Sequence, residues 1–178
     1  MTTSHEQTTR SELLTGTFRD RESAEQAYNS LINRGYTKDD INVMMSDDTR
    51  KRHFSQTTAT TELGTKAAAG GLTGATVGGT VGAIAGVLAV AGTLAIPGLG
   101  IVLAGPLAAG LAGLGAGAAA GGLLGSLIGL GIPEERAKVY TTDIENGGIV
   151  VGVKPRSNDE AALVEKEWTG YRGANILR

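Results

Sequence analysis

Between Lys66 and Glu134 the chain carries no charged side chain, and 20 of its 28 glycines fall inside that stretch, Ala67 to Pro133. A run this long without charge cannot be ordinary solvated surface. It must be core, membrane segment or interface, and everything else about the chain has to accommodate it.

Within the run, Gly70, Gly74, Gly78, Gly82 and Gly86 recur every four residues, and so do Gly113, Gly117, Gly121, Gly125 and Gly129. On a helix that spacing places each set in one nearly axial ridge. Each glycine costs about 1 kcal/mol of helix propensity against alanine, so ten in register imply that their flat faces are used, as in small-xxx-small helix packing. The two ladders are mirror-placed about Gly98 to Gly100. The spacing predicts a glycine-zipper helical hairpin with arms over Thr65–Ala95 and Pro106–Leu130, turning at Pro97, Gly98 and Gly100. Pro106 suits the first turn of the second arm. Alternatively, the ladders face other subunits and build a homo-oligomer, with Gly71, Gly79, Gly115 and Gly122 available for a second contact.

The charged flanks read as two copies of one unit. Leu13 to Phe18 predicts a strand. Asp20 predicts an N-cap, and Ala24, Ala27, Tyr28, Leu31 and Ile32 form one apolar helical face that Gly35 ends. Ile41, Val43 and Met45 alternate as a half-buried strand. In the second copy Ile149 to Val153 is a strand, Ser157 or Asn158 caps a helix with Ala161, Val164 and Trp168 inward, and Ala174 to Leu177 is the last strand. Gly16, Gly35-Tyr36 and Ile41 align with Gly152, Gly170-Tyr171 and Ile176. Two βαβ units predict an α+β, ferredoxin-like domain, a four-stranded antiparallel sheet with two helices on one face. The hairpin is inserted between its second and third strands. The expected organisation is a disordered N-terminus (1–12), a first βαβ half (13–46), a polar linker (47–64), the zipper hairpin (65–132), and a helix plus the second half (133–178). That helix opens with Pro133 at its first helical position and Glu134-Glu135 in its first turn, and it carries Ala137, Tyr140 and Ile144 as its stripe.

Several functions are disfavoured at once. With a net charge of −2, no basic footprint for nucleic acid exists. No cysteine is present, and His5 and His53 lie far apart, so no metal set is expected. Gly115-Ala-Gly117 with Gly121 imitates a dinucleotide loop but continues a helical register on both sides. Asp39-Asp40 and Asp47-Asp48 read as solvated acids of a turn and a linker, and Trp168, Tyr171 and Tyr28 as core or strand-entry residues. No catalytic constellation can be assembled, so an enzyme, a cofactor and a small-molecule substrate are not expected. The first ten residues are polar and lack the apolar core of a cleavable signal.

A membrane is the expected partner. Each arm would be about 35–45 Å long against an apolar bilayer thickness of about 30 Å. The hairpin tip, Ile96 to Gly105, is apolar. Arg50, Lys51, Arg52 and Lys66 before the run, with Arg136 and Lys138 after it, fit a hairpin with both termini cytoplasmic. The Arg50–His53 run reads first as a solvated linker, with an anionic lipid-headgroup contact as the lesser alternative. Aromatic belts are missing, and Ala, Gly and Thr drive insertion weakly. A cytoplasmic hairpin that packs on its own sheet or self-associates is the alternative.

The chain resembles a bacterial family of general-stress, heat-induced (YflT-like) and low-temperature-induced proteins. The likeness rests on Gly16-Thr-Phe-Arg-Asp-Arg-Glu-Ser-Ala-Glu, Gly35-Tyr36, Asp40-Ile41-Asn-Val, the exit Leu130-Gly-Ile-Pro-Glu-Glu135, Tyr140, and Gly147-Gly-Ile-Val-Val151, and it runs from Leu14 to Leu177. It implies a role in envelope or general stress response, and it brings no active-site residues. The expectation is a non-enzymatic stress-response protein that displays a ferredoxin-like interaction domain at a membrane. Its alternative is a self-assembling or small-ligand-binding stress protein.

Overall fold

In the computed structural model, residues 13–54, 83–84, 88, 94–96, 100–113, 122–129 and 132–178 are described. Their elements, in chain order, are β1 (Leu14–Phe18), α1 (Arg21–Asn33), β2 (Ile41–Ser46), α2 (Asp47–Phe54), β3 (Leu94–Ile96), β4 (Ile101–Ala104), α3 (Pro106–Gly113), α4 (Gly122–Gly129), α5 (Glu134–Glu145), β5 (Ile149–Val153), α6 (Asn158–Gly170) and β6 (Ala174–Leu177).

The strands form one antiparallel α+β sheet of six, in the order β3-β4-β2-β5-β1-β6. The four strands expected from the flanks are contiguous within it. β5 lies between β1 and β2, and β1 lies between β5 and β6, so both βαβ units are split by a strand of the other. β3 and β4 extend the sheet beyond β2. Both come from the uncharged run, where a helical hairpin tip was expected. The chain does reverse near Gly100, but Ile96 pairs with Ile101 and Leu94 with Leu103 as a β-hairpin. The first predicted arm therefore does not continue as helix to Ala95. The physical reason is local: Ile101-Val-Leu-Ala is β-branched at its start and lies between Gly100 (φ +61°) and Gly105 (φ +94°), which break a helix on both sides.

The sheet is apolar on both faces. Its front carries Leu14, Phe18, Ile41, Val43, Met45, Ile149, Val151 and Val153, covered by Ala24, Ala27, Tyr28 and Leu31 of α1 and Val164 and Trp168 of α6. Its back carries Met44, Val150, Ile101 and Leu103, covered by α3, α4 and α5. β2 is consequently buried on both faces rather than half-buried, and Asn42 is buried with it. Of the predicted apolar face of α1, Ile32 alone emerges, 39% exposed. The expected polar linker begins as helix: Asp47 and Asp48 occupy the first turn of α2 and Lys51, Arg52 and His53 its last, matching the helix dipole at both ends. Pro133 is the N-cap of α5 rather than its first helical residue.

The internal repeat is real but registers differently from the sequence landmarks. α1 and α6 are both 13 residues long. Asp20 accepts the N–H of Ser23 (2.9 Å) and Ser157 that of Glu160 (3.1 Å). At the same distance from each N-cap the backbone turns left-handed, at Gly35 (φ +84°) and at Arg172 (φ +62°). Gly170 is thus the last helical residue, and arginine occupies the position that glycine fills in the first copy. Gly16 and Gly152 lie on opposite faces, one under the Trp168 ring and the other beside Thr15 and Asn42.

A left-handed arginine costs about 1–2 kcal/mol, partly offset by the chain entropy that glycine would lose on folding. Its ion pair to Asp20 (3.5 Å, arginine side chain 72% exposed) adds little. Arg172→Gly should therefore stabilise the protein by about 0.5–1 kcal/mol, read as a higher midpoint in urea with unchanged slope.

Candidate functional site: the uncharged insert on the sheet

The insert is held on both faces. On the back, Asn42 presents its side-chain oxygen to the N–H of Leu107 (2.8 Å), satisfying a free donor of the first turn of α3. Gly105 makes the approach possible, since a Cβ there would run into the carbonyl oxygen of Ile41. Ala108, Leu123 and Leu127 then join Met44, Leu103 and Val150 in one cluster with Ala137, Tyr140 and Ile144 of α5. Leu127 is fully buried. The N–H of Asp47 donates to the carbonyl of Gly100 (2.6 Å), tying the β-hairpin turn to the start of α2.

On the front, Ala83, Ile84 and Leu88 pack against the core shared by α1 and the sheet, and Ile84 is fully buried. Its N–H donates to Oε2 of Glu25 (3.0 Å). Glu25 is itself 2% exposed. Arg21 sits 3.6 Å from the other Glu25 oxygen, lies over the Phe54 ring (5.1 Å) and donates to the carbonyl of His53 (2.9 Å). One buried carboxylate therefore meets the insert directly and, through Arg21, the end of α2.

A polar seam fixes α5 to the sheet. Arg136 donates to the carbonyls of Leu13 (2.5 Å) and Leu177 (3.3 Å) and to the Tyr140 hydroxyl (3.1 Å), which shares a 2.5 Å hydrogen bond with Thr15. Asp143 accepts from Thr17 (2.6 Å) and from Asn175 (2.8 Å). The β1–β6 register shifts between Thr15 and Thr17, and Asn175 takes φ +46° there, so the irregular strand aims its amide at Asp143. The sequence places Arg136 as a cytoplasmic-side flank of a membrane hairpin and carries no sign of this engagement with β1 and β6.

A separate open depression of about 370 Å³ lies where the α1–β2 and β5–α6 loops meet, lined by Tyr36, Asp40, Lys154, Pro155 and Arg156. The Arg156 guanidinium covers the Tyr36 ring (4.2 Å) and donates to the carbonyls of Arg34 and Gly35. Asp40 is bound by the N–H and hydroxyl of Thr37, which hold its carboxyl below the usual range. With ring, guanidinium and carboxylate all engaged, the depression ties the two loops together. No group of potential metal ligands occurs among the described residues.

The predicted packing residues divide. Gly70, Gly74, Gly78, Gly82, Gly86, Gly117, Gly121, Pro97 and Gly98 lie outside the described residues. Gly113 ends α3, and Gly125 and Gly129 lie on α4. Among the described residues a Cβ at Gly125 would meet nothing within 4 Å, and Gly129 and Ile128 (40%) are exposed. That side of α4 points away from the sheet. Gly100 is at the turn as expected. The cations expected to flank a membrane hairpin are largely paired: Arg50 and Lys51 with Asp47, and Lys138 with Glu134. No described helix is long and apolar enough to cross a membrane.

Because Leu127 is fully buried in the back layer, Leu127→Ala should cost about 2–5 kcal/mol of global stability, measured by urea unfolding of the intact chain. A loss under about 0.5 kcal/mol, in the range of surface substitutions, would contradict the docking of α4. The front core makes a pH prediction. Burial, with Glu25 and Asp39 nearby, raises the Tyr28 phenol to about 12, and burial with the Glu160 carboxylate raises Tyr36 to about 12. An unfolded tyrosine ionises near 10. The stability these phenols carry is intact below pH 10 and is lost as pH rises toward 12. Phenolate absorbance should show Tyr28 and Tyr36 ionising late, together with unfolding. Ionisation of Tyr28 and Tyr36 near pH 10, independent of unfolding, would contradict it.

Comparison of the chain with protein-family models, curated proteins and solved structures finds no match in any of the three.

Proposed function

We propose that the chain is a non-enzymatic stress-response protein in which a ferredoxin-like frame carries an uncharged insert that associates with a lipid surface. The strand order β2-β5-β1-β6 with α1 and α6 on one face supports the frame. The resemblance to general-stress proteins supports the setting. The observation that carries the lipid reading is the insert itself: 67 consecutive residues without charge, whose α4 turns Gly125, Ile128 and Gly129 away from the sheet. In the folded domain the insert is seated on the sheet. Lipid association therefore takes the form of an exchange, in which apolar residues leave the sheet for the bilayer, rather than a permanently spanning hairpin.

The outward face of α4 also favours a second reading, in which two copies pack through it. One comparison separates them. Purified full-length protein is mixed with phosphatidylglycerol/phosphatidylcholine vesicles and floated on a density gradient, and its mass is measured in parallel without detergent. The lipid reading expects co-flotation with the vesicles and a monomer in their absence. Protein that stays at the bottom, with a discrete oligomer that Gly125→Leu dissociates, would replace it with self-assembly.

A further inference from the structure

We infer that Glu25 is a latch: a positioning residue whose buried carboxylate pins the first arm of the insert to the front of the sheet. Among the described residues it is the charged side chain whose hydrogen bond reaches into the uncharged run, at the backbone N–H of Ile84 (3.0 Å). A backbone donor inside an apolar layer has to be satisfied, and a carboxylate acceptor makes a stronger bond than a neutral one. The carboxylate is costly to bury, so its place depends on the groups around it. Arg21, at 3.6 Å, supplies opposite charge from the preceding turn of α1 and is itself held by the His53 carbonyl and the Phe54 ring.

The corner therefore couples three parts of the chain. α1 contributes the acid and its cation. α2 ends on Phe54, which is buried against the same core and leads into the insert. The insert returns at Ile84 to complete the site. Apolar burial of Ile84 and Leu88 supplies attraction, whereas the hydrogen bond fixes which backbone position meets α1. Loss of the carboxylate leaves the frame built from α1, α6 and the sheet but removes the register of the first arm. This deepens the function proposed above by naming what controls release of the insert, and it rests on that reading only for the lipid consequence.

Amide hydrogen exchange of the full-length protein tests the latch. In Glu25→Ala, exchange at Ile84 should accelerate about ten- to hundredfold relative to the amides of β5, and Glu25→Gln, which keeps a neutral acceptor, should lie between it and the parent. Unchanged exchange at Ile84, or acceleration in step with β5 in both variants, would overturn the latch, the second because it reports only global destabilisation. Vesicle flotation of the same variants is read separately. Local release at Ile84 without any gain in flotation leaves the latch standing and removes the lipid reading.

Discussion

A sheet apolar on both faces needs a layer on each, and this requirement organises the molecule. β5 is buried at every position, and Met44, Val150 and Leu103 face away from the two helices that cover the front. Two βαβ units supply one helical layer between them. Left at that, the back would expose a continuous patch of large apolar side chains. The uncharged run supplies the missing layer with α3 and α4, α5 completes it, and β4 extends the same surface past β2.

Apolar burial and polar contacts divide the work. Full burial of a side chain such as Leu127 or Ile84 contributes about 1.5–3 kcal/mol, whereas one hydrogen bond contributes about 0.5–1.5 kcal/mol net. Burial therefore drives docking, but it is nearly indifferent to register in a stretch of Gly, Ala and Leu. Register comes from a few directional contacts: Asn42 to Leu107, Asp47 to Gly100, Glu25 to Ile84, and the seam from Arg136 and Asp143 to β1 and β6. Most of these partners belong to the charged flanks. The repeated frame thus works as a template that gives an otherwise ambiguous segment a defined place.

The frame was legible because its signals are local. Asp20, Ser157 and the periodic apolar faces mark α1 and α6, and the β-branched run from Ile149 marks β5. What escaped depends on distant partners or on overlapping patterns. The two glycine ladders imply a helical hairpin whose tip takes in Ile101–Ala104 and so hides the strand there, although Gly100, Gly105 and Pro106 bracket it as turn residues bracket a strand. α2 carries acids first and bases last, but its lack of apolar periodicity made it read as linker. Arg172 hides a left-handed position behind a nearby Gly170. The anchors themselves have no signature, since Glu25 on α1 looks like any surface acid until Ile84 comes against it. The buried back of β2, with Asn42 and Met44, could be inferred only once something was known to cover it.

Part of the uncharged run is thus a strand and a layer of the folded domain. Residue-resolved hydrogen exchange of the full-length chain without lipid tests it most directly. The amides of β4 that pair with β2 should be protected to a free energy close to that of β2 and β5 themselves. Exchange throughout Ile101–Ala104 at the rate of an open chain, with β2 and β5 still protected, would instead show an insert detached from its sheet.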